Sequence, residues 1–153
     1  GRPPIFTDDQ YEALGVPRNA TIAANRDPMF FDLGLCGPLR TDLAPQRQYC
    51  GMFRTPTLRN VAIRRVFFHN GVYRTLEQVL DFYALRAPRP DSIYPRRADG
   101  SLALFDDVPA ADHGSIDVLD PPFNRLAGTP AVLSRNDRSD IIAFLRTLTD
   151  STP

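Results

Sequence analysis

A chain of 153 residues with 18 basic and 18 acidic side chains is long enough for one domain with a buried core, and its balanced charge selects neither nucleic acid nor an anionic membrane surface. Its 15 Pro and 9 Gly exclude long uninterrupted elements and imply short helices joined by loops. No apolar run approaches the roughly 18 residues that a membrane-crossing helix needs. All 18 basic residues are Arg, a planar fork suited to carboxylates.

In chain order, GRPPIF shows no signal-peptide pattern and resembles a processed or trimmed start at Gly1. Thr7 followed by Gln10 makes a capping box and predicts a short helix over about 8–14, stopped by Gly15. Residues 16–52 read as mostly irregular. They hold the only cysteines, Cys36 and Cys50, in LCGPLR and YCGMFR. A disulfide between them suits an oxidising compartment such as a periplasm, and two buried free thiols are the other reading. Neither cysteine belongs to a Cys-x-x-Cys pair, so a zinc set is disfavoured.

Thr55-Pro56 reads as a helix start, with a short helix over about 57–64. Asn70-Gly71 is a turn signal. Thr75 and Gln78 form a second capping box before a helix over about 76–86, whose Leu76, Val79, Leu80 and Tyr83 share one apolar face. Residues 87–133 are a Pro/Asp/Gly-rich excursion without clean periodicity, expected to wrap the surface or a partner. Ser134 and Asp137 start the last helix, with Ile141, Ile142, Phe144, Leu145 and Leu148 as its buried face and Pro153 beyond its end. No strand pair and no repeat is predicted, so the expected fold class is all-α with long loops.

Taken one at a time, the chemical residues have ordinary explanations. His69 is a turn histidine, His113 in ADHG is solvated, and Tyr83 is core packing. Arg59-Asn60 is a surface or capping pair, and Asp8-Asp9 and Asp106-Asp107 are solvated loop charges. No Ser-His-Asp set, phosphate loop or paired metal-ligand spacing is present.

As a spaced set, TPTLRNVA, FFHNG, TLEQVLDFY and the ending DIIAFLRTLTD carry a family likeness. With PPIFTDDQYEALGVPRN at the start, they resemble the C-terminal haem domain of the bacterial di-haem cytochrome c peroxidases, including their MauG-like branch. The likeness runs over nearly the whole chain and is weakest in 87–133, an insertion of one branch. It implies a single cytochrome c-like domain over 1–153, part of a longer periplasmic di-haem protein, holding a haem c. Tyr83 matches the distal iron ligand of the MauG-like members, where simpler peroxidases use Met; Met29 and Met52 lie far from that position. A phenolate favours Fe(III) and lowers the potential. Arg59 matches an Arg that contacts a haem propionate, with Thr57 and Asn60 supporting its turn. Phe53, Pro56, Phe67 and Phe68 would pack around the macrocycle. His69 matches a His beside the haem-binding loop, the candidate catalytic residue. The carbonyls of Arg64 and Val66 match a calcium site between domains.

One departure bears on all of this: the sequence has no Cys-x-x-Cys-His, so neither the haem attachment nor a proximal His lies within it. The expectation is a C-terminal piece of a peroxidase-type oxidoreductase, inactive alone. Its partners would be an N-terminal haem domain of the same protein and a small cytochrome, copper protein or oxidisable protein as electron donor. Two alternatives stay open: a haem-free interaction module on the same scaffold, and a pure electron-transfer cytochrome.

Overall fold

A computed structural model describes residues 5–150. Among these, regular structure is sparse: two α-helices, α1 (Leu76–Leu85) and α2 (Arg135–Thr147), two strands, β1 (Tyr11–Glu12) and β2 (Phe53–Arg54), and five short 3-10 turns. The strands pair antiparallel, Tyr11 with Arg54 and Glu12 with Phe53. The all-α, cytochrome c-like expectation is therefore corrected. The molecule is a small irregular domain with a two-stranded sheet.

The two helices form where local chemistry is self-sufficient. At each N-terminus a hydroxyl accepts the amide three residues on while that residue's side chain returns the bond: Thr75 with Gln78, and Ser134 with Asp137. This satisfies orphan amides without distant partners. The helices pack on each other and on the 3-10 turn Val61–Ile63 through Val61, Phe67, Leu76, Leu80, Ile142 and Leu145. Phe144, predicted to be buried, is 54% exposed, because the apolar contact on that stretch is made by Ile142 and Leu145, with Ile141 and Leu148 packed beside them. Pro153 lies outside the described residues.

The other predicted helices do not form. At the predicted helix over 8–14, Asp9 takes a positive φ of 57°, and Phe6 just before it one of 50°, which no right-handed helix accommodates. Thr7 turns its hydroxyl to the Thr55 carbonyl at 2.9 Å, and the segment becomes β1. Over 57–64, Asn60 sits in the left-handed region (φ 59°) and its amide goes to Leu148 rather than into a helix.

Two further clusters complete the interior. Ala13, Val108 and Ile116 gather Leu33, Met52 and Phe105; Val16, Phe82 and Phe123 gather Phe68, Tyr73, Tyr83 and Ile93. The 87–133 stretch thus contributes buried residues to both clusters, with Ile116 and Phe123 each 4% exposed. Cys36 and Cys50 are joined in a disulfide, with 5.0 Å between their Cα atoms. Beside it Gly34 takes φ +57°, and a Cβ there would meet the Met52 carbonyl oxygen at 2.1 Å, so only glycine fits. Among the described residues, no helix is long and apolar enough to cross a membrane.

Candidate functional site

A cavity of about 750 Å³ opens where the clusters meet. That is within the roughly 300–1,000 Å³ of small-molecule and cofactor sites. Its walls come from five places: the 12–16 segment, β2 and the turn after it, the 61–69 segment, α1, and 107–123. Most of the sequence-predicted site residues are brought together on it: Phe53, Pro56, Thr57, Arg64, Val66, Phe67, Phe68, His69 and Tyr83.

Tyr83 reaches the wall from the last turn of α1. Its ring is set among aromatic neighbours: Phe123 stacked at 5.6 Å and 24°, Phe82 edge-on at 5.7 Å, Phe68 tilted at 6.0 Å. Its hydroxyl makes no hydrogen bond among the described residues and is not among the buried unpartnered atoms, so it opens toward the cavity. Burial pushes the phenol above its ordinary value, and the Arg86 cation works against that shift.

His69 is fixed from two sides. Its ring lies flat on Phe53 at 3.7 Å and 6°, and its Nε2 is 2.8 Å from Asp107 Oδ2. His69 as a whole residue is exposed, but its side chain keeps only 14% of its surface. The same Asp107 oxygen accepts from Asn70 Nδ2 at 2.8 Å, which also donates to the Pro17 carbonyl, and Asn19 donates to the Asn70 carbonyl. These groups form one buried polar network in which each member has partners, the condition for burying them. Asp107 is 5% exposed and lines the cavity, which corrects its assignment as a solvated loop charge. Its neighbour Asp106 accepts the Arg18 amide, and burial raises its carboxyl. His113 is likewise not solvated. It packs edge-on against Phe105 and bonds the Val108 carbonyl at 3.0 Å.

Arg59 and Asn60 lie off the cavity wall. Arg59 pairs with Asp150 at 2.8 Å, and Asn60 exchanges two hydrogen bonds with the same residue, at 2.8 Å each. Together they clasp the chain leaving α2 and hold the Asp150 carboxyl below its ordinary range, through Asn60 first and Arg59 second. Thr57 donates its hydroxyl to the Ile5 carbonyl. The cations on the wall are Arg54, paired with Asp9 at 2.6 Å, and Arg64, which donates to the Thr57 carbonyl at 3.0 Å. The lining also carries carboxylates: Asp8, Glu12, Asp117 and Asp120. The Glu12 carboxyl is raised by burial and then by those three carboxylates. Among the described residues, no three His, Cys, Asp or Glu side chains form a metal site.

The sequence analysis missed Asp107, Asn70 and Arg86. One signal was available for Asp107: it lies in a short apolar setting, LFDDVP, where a charge needs a partner. Arg86, at the end of a helix, reads as an ordinary dipole-complementing cation.

The cavity fits a flat aromatic cofactor by its size, its aromatic walls and its open phenol. No family model matches the chain. The methylamine utilization protein MauG of Paracoccus denitrificans is 35% identical over 80 residues, 51% of this chain and 20% of that protein. The diheme peroxidase BthA of Burkholderia thailandensis superposes with a TM-score of 0.80 at 45% identity, covering 92% of this chain and 33% of that one. A tyrosine-to-methionine variant of BthA matches with the same TM-score at 44% identity. The chain thus spans between a fifth and a third of the relatives it matches.

Proposed function

Because the chain is kin to part of the MauG-like dihaem peroxidases, we propose that it forms one wall of a haem site in a longer redox protein. The observation that carries this is the cavity of about 750 Å³ with the Tyr83 hydroxyl free at its wall. A bound haem supplies one-electron redox chemistry. The remaining roles belong to this chain's residues.

Tyr83 is the distal oxygen donor. As a hard anionic ligand it favours the ferric state and lowers the potential. Burial raises the Tyr83 phenol and Arg86 works against that rise, so a bound ferric ion would supply the positive charge that favours its phenolate. Phe53 and Phe68 line the macrocycle. Arg64, whose guanidinium has donors beyond the one given to Thr57, would hold a haem carboxylate by charge-assisted hydrogen bonds; Arg59 supports the site by holding the chain that leaves α2. His69, fixed by Asp107, holds or passes a proton at the wall. The attachment cysteines and the proximal His come from outside this sequence. In the whole protein, peroxide is the electron acceptor, a second haem domain the internal partner, and a small cytochrome, copper protein or oxidisable protein the donor, in the periplasm.

The test is spectroscopic. The purified haem-bearing protein is expected to show a Soret band and a ferric tyrosinate signature that Tyr83→Phe abolishes in the visible and EPR spectra. Unchanged spectra remove Tyr83 as ligand. A colourless folded protein that gains no band with added haem overturns the haem reading and leaves an interaction module.

A further inference from the structure

Arg86 follows α1 immediately and is 3% exposed. Its guanidinium lies 3.7 Å from the centroid of Phe123 and 5.5 Å from that of Phe105. It donates to the carbonyls of Leu14 and Asp117, so its bonds go to carbonyls and rings rather than to a carboxylate. A planar cation held at both ends of its fork and faced by rings has little freedom left.

Phe123 is the element it shares with the site. Phe123 lines the cavity and stacks on Tyr83. Arg86 does not line the cavity; it stands behind that wall. Tyr83 and Arg86 are three residues apart at the end of α1, neighbours along one helix face. Among the described residues the Tyr83 hydroxyl makes no hydrogen bond, so the packing of its ring sets the plane in which the phenol is held.

We propose that Arg86 is a positioning residue for Tyr83: it clamps Phe123 against the Tyr83 ring and so fixes the plane of the phenol ring at the cavity wall. The functional part of this rests on Tyr83 being the donor at that site, while the mechanical part does not. A carbonyl-bonded guanidinium also ties the 12–16 and 116–123 segments to α1, which keeps two walls of the cavity at a set spacing from the same residue.

The mechanical part is tested in this chain by NMR with ¹³C-labelled tyrosine, following the Tyr83 ring flip. Loss of a desolvated cation–π contact corresponds to roughly tenfold or more in a barrier-governed rate. Arg86→Gln and Arg86→Lys are both expected to speed the flip by at least that factor, since Lys keeps the charge and loses the plane. Tyr94→Phe, which loses a hydrogen bond to the Gly15 carbonyl in the same region, is expected to leave the flip unchanged. Should Arg86→Gln not fold, Phe123→Leu keeps Arg86's carbonyl bonds and is expected to free the ring equally. A Tyr83 ring that stays locked in the Arg86 variants, or in Phe123→Leu, overturns the proposal. So does a flip sped equally by Tyr94→Phe, which marks general loosening. In the haem-bearing protein, Arg86→Lys is expected to shift the tyrosinate band. An unshifted band overturns the functional part, whereas loss of the ligand reading itself shows separately, as Tyr83→Phe spectra identical to wild type.

Discussion

Tyr73 illustrates how a single atom shapes stability here. Its ring packs between Phe68 at 5.7 Å and Phe82 at 5.9 Å, yet its hydroxyl is buried with no hydrogen-bond partner among the described residues. An unsatisfied buried hydroxyl costs about 1–3 kcal/mol. Tyr73→Phe, which keeps the ring, is therefore expected to raise stability by about 1 kcal/mol in urea unfolding at neutral pH; a less stable variant would show that the hydroxyl has a partner. The same burial pushes the Tyr73 phenol from 10.0 up to about 12, and Tyr94 shifts upward for the same cause. The sign follows: an acid whose folded value exceeds its unfolded one gives stability that is fully present below about pH 10 and lost as pH rises toward the folded value. Thermal midpoints should fall over that window, and less steeply in Tyr73→Phe. At this scale the sequence was partly informative. Tyr83 became a candidate only through the family resemblance, since its own local pattern reads as core packing. Asp107 was missed, because its partners His69 and Asn70 lie 38 and 37 residues away and the apolar LFDDVP setting marks a need for a partner without naming one.

The elements divide by where their hydrogen bonds go. α1 and α2 close their own caps, so their starts at Thr75 and Ser134 were legible in four-residue motifs. The segments over 8–14 and 57–64 carried a similar local signal, but their backbone partners are remote: Thr55 donates to Gln10, Leu58 to Phe6, Asn60 to Leu148. Tertiary pairing overrode the local motif at Thr7, whose hydroxyl went to Thr55. This contrast makes a prediction about caps. Ser134→Ala removes the acceptor of the Asp137 amide at 3.1 Å and is expected to cost about 1 kcal/mol. Ser92→Ala, which removes an exposed hydroxyl bonded at 2.7 Å to the Arg89 carbonyl, should stay within about 0.5 kcal/mol. Paired urea titrations measure both; equal costs would mean that the α2 cap is not a determinant of the fold.

The described residues form three apolar clusters and little regular structure, so the long irregular segments need other ties. The Cys36–Cys50 disulfide is one, closing a loop with a sequence separation of 14. Around it, Gly51 donates to the Leu33 carbonyl at 2.9 Å, the Ser115 hydroxyl to the Cys50 carbonyl at 2.5 Å, and the fully buried Asp112 carboxylate pairs with Arg47 at 2.7 Å. The tie thus connects the 33–52 loop to the 110–115 turn and to the cluster of Ala13, Val108 and Ile116. In the chain-entropy account, a loop of about 15 residues contributes about 3 kcal/mol. Replacing both cysteines by Ala is expected to lower stability by about that amount, but not uniformly. The amides of Gly51 and Leu33 should lose hydrogen-exchange protection first, while those of α1, which pack on α2 through Leu76 and Leu80, should keep theirs. Since Gly51, Val108 and Asp107 line the cavity, such loosening opens the His69 side of the site and leaves the Tyr83 side in place. A uniform loss of protection across both would show instead that the domain unfolds as one unit, with the disulfide acting only on its unfolded state.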